Sequence, residues 1–347
     1  MLVLGIETSC DETATAIVED GERILSSYIS SSLDFHKRFG GIIPEAASRH
    51  HLEFILPLLD ECIKKAKVRF KDLDLIAVTY GPGLVGSLMV GLNLAKALSF
   101  SLGIPLVAVN HLQAHLYGVF LGPEKPELPA VGLIVSGGHT ELVFMRKFDN
   151  MELLGKTRDD ACGEAFDKVA KILGLGFPGG PVIDQLARGG DKSKIKFSCG
   201  KFKNSLDFSF SGIKTAVLYY VKANTVNGKR LPAGKAGLTV NEINDICAGF
   251  QEAVVDGLVE NARRACVLKK TKQLILGGGV SANSSLRERI STLQKTDNIK
   301  VFLPPLEFCL DNAAIVAGLG YRLYKAGKVN SDLSLEPEPI LAIGEQI

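Results

Sequence analysis

Several protein classes are excluded by what this chain of 347 residues lacks. Its seven cysteines, at positions 10, 62, 162, 199, 247, 266 and 309, are odd in number, scattered, and never spaced as Cys-x-x-Cys. That pattern argues for a reducing compartment and against a disulfide framework or a cysteine zinc site. A net charge of only +2 leaves no global field drawing the protein to nucleic acid, so any such contact needs a local patch. The P-loop pattern Gly-x4-Gly-Lys-Ser/Thr does not occur, nor does the His-Glu-x-x-His of zinc proteases. No apolar run is expected to span a membrane; the stretch 84–102 is the nearest, but it carries Asn93, Lys96 and several Ser and Gly. The first residues reach charge at Glu7, without the basic start and long apolar centre of a signal peptide. These absences together predict a cytoplasmic enzyme with no membrane partner.

What remains is ordinary globular composition, 46% hydrophobic and 22% charged, in a chain long enough for two lobes. The chain is organised around His111-Leu-Gln-Ala-His115. Histidines four apart on a helix share one face, so two imidazoles can converge on one cation. Imidazole suits iron, zinc, copper or nickel better than calcium or magnesium. The apolar run Pro105–Asn110 reads as a strand delivering this pair to the carboxyl end of a sheet, where open α/β folds bind ligands. By spacing alone, two histidines packing on an ordinary helix are an equal reading.

Taken in order, Leu2–Ile6 and Ala14–Val18 read as strands flanking a polar turn, Glu7-Thr-Ser-Cys-Asp-Glu-Thr13. Its hydroxyls and backbone N–H groups suit an anion, and Asp11 or Glu12 a cation or a proton; a solvated turn is the plainer alternative. Pro44 starts a helix whose core-facing stripe is expected at Leu52, Ile55, Leu56, Leu59 and Ile63, with a kink at Pro57. His50 and His51 are adjacent, diverge on a helix, and are not expected to be ligands. Leu75–Thr79, the loop Gly81-Pro-Gly83, a helix over 84–100 and the strand Leu106–Val109 form a parallel crossover unit.

The same order returns. Val131–Val135 and Glu141–Met145 flank a second polar turn, Ser136-Gly-Gly-His-Thr140; later come a strand at Leu274–Leu276, the loop Gly277-Gly-Gly279, a helix from Asn283 and a strand at Val301–Leu303. This duplication predicts the α/β, two-lobed actin-like ATPase fold, with a nucleotide cleft between the polar tips. Residues 1–110 with about 311–347 are expected to form one lobe and about 111–310 the other, with a helical insertion near 159–270. In the insertion, a helix opened by Asp159–Asp167 precedes a loop with Gly179-Gly180 and a short helix carrying Asp184. Asp167 and Asp184 suit ribose hydroxyls, or are plain helix-surface acids. Asn227–Gly237, rich in Gly and Lys, is expected to be an exposed loop. Asp311, at the start of the last helix, either caps it or completes a two-histidine, one-carboxylate triad with open positions, usable by iron or zinc.

Glu7–Thr13, Gly81-Pro-Gly-Leu-Val-Gly86, His111-x3-His115, Ser136–Thr140, Gly163-Glu-Ala-Phe-Asp-Lys168, Phe208-Ser-Phe-Ser-Gly212, Gly278-Gly-Val-Ser-Ala-Asn283 and Cys309-x-Asp-Asn312 occur here in one order. Over nearly its whole length the chain resembles the bacterial tRNA N6-adenosine threonylcarbamoyltransferases (TsaD), once described as O-sialoglycoprotein endopeptidases. The resemblance implies one divalent metal, Fe2+ favoured and Zn2+ possible, held by His111, His115 and Asp311. It implies that Ile134, Val135, Ser136, Gly137, Gly138, Asp167, Gly180, Asp184 and Asn283 line the site of an adenylate, threonylcarbamoyl-AMP. The implied reaction moves the threonylcarbamoyl group to N6 of the adenosine beside the tRNA anticodon. The implied partners are tRNA, an inactive paralogue of the same fold (TsaB-like) and a small ATPase (TsaE-like). Archaeal and eukaryotic relatives can add a tyrosine to the metal from the strand before Ser136; here that strand reads Leu133-Ile134-Val135. From position, Asp11, and after it Glu12, is expected to orient or deprotonate the amine. Rival readings are a metalloprotease, which lacks its Glu because position 112 is Leu and 113 is Gln, an actin-like small-molecule kinase or ATPase, and a non-catalytic nucleotide-binding scaffold.

Overall fold

In the computed structural model, residues 1–224, 238–330 and 333–344 are described. The Gly- and Lys-rich stretch Asn227–Gly237 lies outside them. The chain divides into two compact units, Met1–Pro126 with Met145–Glu152 and Pro304–Ile347, and Glu127–Phe144 with Leu153–Leu303. His111 and His115, expected to open the second lobe, therefore lie in the first unit, as does Asp311.

Both units are built on five strands. In the first, Leu2–Glu7 (β1), Glu12–Glu19 (β2), Arg23–Ser31 (β3), Leu75–Gly81 (β4) and Leu106–Asn110 (β5) are ordered β3-β2-β1-β4-β5. β1 runs antiparallel to β2 and parallel to β4, which runs parallel to β5. β4 is buried along its whole length, as the continuous apolar runs of parallel strands require. The second sheet has Ala130–Val135 (β6), Thr140–Lys147 (β7), Asn150–Lys156 (β8), Gln273–Gly277 (β9) and Lys300–Phe302 (β10), in the order β10-β9-β6-β7-β8. Substituting β6–β10 for β1–β5 gives the same order read backwards, so the duplication extends to topology.

One close approach fixes the first unit's site. A Cβ on Gly5 of β1 would lie 2.2 Å from the carbonyl oxygen of Ala313, so only glycine lets the helix Ala313–Lys325 sit down on the strand. Close packing also occurs at Gly91, where a Cβ would lie 2.4 Å from Thr8 Oγ1 of the polar turn. The helix Val85–Leu102 is long and apolar enough to cross a membrane by length and composition. Here its Ser87, Leu88, Gly91, Leu92 and Ala95 face inward, and it packs on β4 and on the helix Pro44–Ala66.

Three expectations are corrected. The buried face of Pro44–Ala66 is Ala47, His51, Ile55, Leu59, Cys62 and Ile63; Leu52 and Leu56 point to solvent. The helix begun by Asp159–Asp167 starts only at Cys162, because Asp159 instead accepts the N–H groups of Phe210 and Ser211. Gly179 and Gly180 form the first turn of the helix Gly179–Ala187 rather than the loop before it.

Candidate functional site

β5 ends at Asn110, and the helix His111–Tyr117 begins at the next residue. Asn110 caps it, its side-chain oxygen accepting the N–H groups of Leu112 at 2.9 Å and Gln113 at 3.2 Å. The cap fixes where the first turn begins, and so puts His111 and His115 on one face with ring centroids 4.6 Å apart. The helix Ala313–Lys325 is capped by Asn312, which accepts the N–H of Ile315 at 3.1 Å. Asp311 therefore does not cap. Its Oδ1 lies 3.1 Å from His115 Nε2 and 3.6 Å from His111 Nε2, and the ligand atoms of the three residues all fall within 4.8 Å of one another.

The donor set fits a divalent first-row metal: two imidazoles and one carboxylate on well-anchored backbone. His115 strengthens the fit. It is 1% exposed, its Nδ1 has no hydrogen-bond partner, and its Nε2 faces the Asp311 oxygen at 3.1 Å without a hydrogen bond. Buried polar atoms are nearly always satisfied, and a cation would satisfy Nε2. His111 differs, since its Nδ1 lies 3.2 Å from Glu7 Oε2 and 3.1 Å from Ser9 Oγ. Without a metal, burial disfavours the imidazolium of His111, but Asp311 and Glu7 outweigh it and push the ring up to about 9. Burial likewise works against the Glu7 carboxylate, but the His111 charge prevails and holds it below its ordinary value.

The polar turn between β1 and β2 is clamped from behind. His51 Nε2 donates to the Cys10 carbonyl at 3.0 Å while its Nδ1 accepts from Thr13 Oγ1 at 2.7 Å. The Ser32 hydroxyl donates to the Asp11 carbonyl at 2.9 Å. Asp11 and Glu12 thus stand on a fixed backbone. Without a metal, burial, then the Asp311 and Asp11 charges, raises Glu12 to about 10.

In the second unit the predicted nucleotide residues form a chain of neighbours. Ile134 and Val135 end β6, and Ser136 accepts the N–H of Gly163 at 3.0 Å. Further along the helix Cys162–Leu173, Asp167 accepts the N–H of Gly179 at 2.6 Å, next to Gly180. Burial raises the Asp167 carboxyl, and that N–H pulls it partly back. Asp184 accepts the Ser284 hydroxyl at 2.8 Å, and Asn283 caps the helix Ser284–Ser291 while donating to Gln251 at 2.8 Å. A Cβ at Gly137, Gly138 or Gly180 would meet nothing within 4 Å, so space lies open above these backbones. Gly278, at φ +89°, is instead pressed on β6, where a Cβ would lie 2.4 Å from the Val135 carbonyl oxygen.

Sequence reasoning missed Glu7, Ser9, Asn110, Gln251 and Ser284 as parts of these clusters. Asn110, directly before a helical segment, carried a capping signal that could have found it. The cations clustered at 64–71 and 192–203 are partly neutralised: Lys64 pairs with Asp60, Arg69 with Asp72, Lys192 with Glu252 and Lys194 with Asp245.

Comparison with known proteins shows the family. The family model of TsaD, tRNA N6-adenosine threonylcarbamoyltransferase, matches residues 23–318. The enzyme of that name from Symbiobacterium thermophilum is 48% identical over 343 residues, covering 99% of this chain and 97% of that protein. The one from Carboxydothermus hydrogenoformans is 49% identical over 346 residues, covering 99% and 98%. Among solved structures, HypF from T. kodakarensis aligns with a TM-score of 0.64 at 15% identity, covering 94% of this chain and 48% of that one. The (R)-2-hydroxyglutaryl-CoA dehydratase component A of Acidaminococcus fermentans aligns at 0.52 and 18%, covering 94% and 100%. These likenesses show the actin-like ATPase fold.

Proposed function

The chain belongs to the tRNA N6-adenosine threonylcarbamoyltransferase family, and on that premise we propose that it takes threonylcarbamoyl from threonylcarbamoyl-AMP and places it on N6 of the adenosine beside the tRNA anticodon. The enzyme is an acyltransferase acting on tRNA. The observation that carries the mechanistic reading is the convergence of His111, His115 and Asp311 at the starts of two helices capped by Asn110 and Asn312, with their ligand atoms within 4.8 Å of one another.

A divalent ion held there, Fe2+ favoured over Zn2+, supplies Lewis-acid polarisation and an anchor for substrate oxygens. The chain's residues do the rest. The donor is an activated mixed anhydride and the acceptor amine a weak nucleophile, so positioning carries the reaction. The open backbones of Gly137 and Gly138, held by the turn that begins at Ser136, receive phosphate oxygens through N–H groups that no Cβ shields. Asp167, Gly180, Asp184 and Asn283, with Ile134 and Val135 beneath, hold the adenosine. Asp11 accepts from the N6 amine and orients it. Glu12, next to it, shares in orienting or deprotonating that amine. The TsaB-like paralogue and the TsaE-like ATPase complete the system in the cytoplasm; family membership supports both.

A protease reading has no support, since Leu112 and Gln113 offer no carboxylate between the imidazoles. A kinase reading leaves the histidine pair without a task. Reconstitution tests the proposal: threonine, bicarbonate, ATP, unmodified tRNA and the partner proteins are combined, and the digested tRNA nucleosides are weighed. Threonylcarbamoyladenosine should appear, and should vanish with His111→Ala or His115→Ala. Its formation at full rate by either variant would overturn the metal-dependent reading.

A further inference from the structure

The structure assigns Glu7 as the positioning residue that sets which nitrogen of His111 faces a metal. The inference rests on the metal reading above and adds a residue to it. Glu7 is the last residue of β1 and 1% exposed. Its Oε1 accepts the Ser9 N–H at 2.5 Å, and its Oε2 accepts the Thr79 hydroxyl at 2.5 Å while facing His111 Nδ1 at 3.2 Å. Thr79 is well placed because β4 runs parallel to β1, with Val78 beside Ile6, one residue before each partner.

A carboxylate offers only acceptor oxygens, so the nitrogen facing it must carry hydrogen. Ser9 Oγ, 3.1 Å from the same nitrogen, can share that hydrogen. In a neutral imidazole the lone pair is then left on Nε2, the nitrogen 3.6 Å from Asp311 Oδ1. Glu7 therefore points a lone pair, rather than an N–H, at the place where His115 and Asp311 converge. His115 has no such partner behind it, since its Nδ1 makes no hydrogen bond. The two histidines are thus unequal ligands. A carboxylate behind a metal-bound imidazole raises its basicity and fixes its tautomer, and its loss typically weakens binding about 10- to 100-fold.

The test uses the full chain with Co2+ as probe, its affinity read by chelator competition and its ligand field by visible absorption. Glu7→Gln keeps the shape of the side chain but offers N–H as well as oxygen to His111. It should bind Co2+ about 10- to 100-fold more weakly than wild type, with an altered spectrum and unchanged secondary structure. In wild type loaded with Zn2+, 15N shifts of His111 should report hydrogen on Nδ1 and metal on Nε2. This second measurement needs no variant, so it decides the matter even if Glu7→Gln fails to fold. Glu7→Gln with lowered thermal stability but wild-type Co2+ affinity would overturn the assignment, as would metal on Nδ1. The metal reading fails separately, and takes this one with it, if wild type binds no Co2+ or if His111→Ala binds it equally well.

Discussion

Gly5→Ala perturbs the site without touching any ligand. The added Cβ would lie 2.2 Å from the Ala313 carbonyl oxygen and 2.9 Å from the Ala317 Cβ. The first distance is more than about 1 Å inside ordinary contact, and the obstructing atom is backbone that no rotamer change removes. The helix Ala313–Lys325 must therefore lift from β1. Asp311 sits two residues before that helix and moves with it, whereas His111 and His115 are also tied to β5 through the Asn110 cap, so the carboxylate shifts relative to the imidazoles. Overpacking of this kind costs about 1–3 kcal/mol. Metal–ligand lengths tolerate only about 0.2 Å, so a lift of this size should also loosen the carboxylate from the site. Gly5→Ala should lower the thermal midpoint and weaken Co2+ binding at least about tenfold, comparable to losing support behind a ligand. Unchanged stability would refute the packing argument. Lost stability with wild-type affinity would refute the claim that Asp311 is positioned through this contact.

Asn110→Ala removes the cap of the histidine helix and should destabilise by about 1 kcal/mol, read by urea unfolding, with weakened metal binding at a temperature where the chain is folded. Asp11→Ala should lower turnover far more than adenylate affinity, compared by steady-state kinetics and equilibrium binding; equal losses would contradict its role at the amine. Asp160, against whose burial Lys168 and Lys214 prevail, is held below its ordinary value, so its contribution to stability is present above the unfolded carboxyl range and disappears as pH falls through the folded value. Asp160→Asn should therefore be less stable than wild type at neutral pH, and the two unfolding midpoints should converge in acid. Gly278→Ala combines a left-handed backbone with a Cβ 2.4 Å from the Val135 carbonyl oxygen, and should disturb β6 and thereby weaken adenylate binding.

The strands were legible because continuous apolar runs bounded by polar turns have few other uses, and the repeated order foretold two sheets of one topology. The buried face of Pro44–Ala66 was misread for a physical reason. Leu52 and Leu56 look like core residues, but the helix buries His51 instead, since its ring has partners in Thr13 and Cys10. Adjacent Asp311 and Asn312 can both cap a helix, and only the fold shows that Asn312 takes the cap. Gly179 and Gly180 resemble loop, yet the N–H of Gly179 finds Asp167, which lets the helix begin there. Glu7 was illegible as a partner of His111 because 104 positions separate them in sequence.

The central claim is that His111, His115 and Asp311 hold one ion. Anomalous diffraction at the iron and zinc edges from crystals of the metal-loaded chain measures this directly. The account predicts a single strong peak within bonding distance of both Nε2 atoms and an Asp311 carboxylate oxygen. A peak elsewhere, or one at the imidazoles with Asp311 turned away, would contradict it.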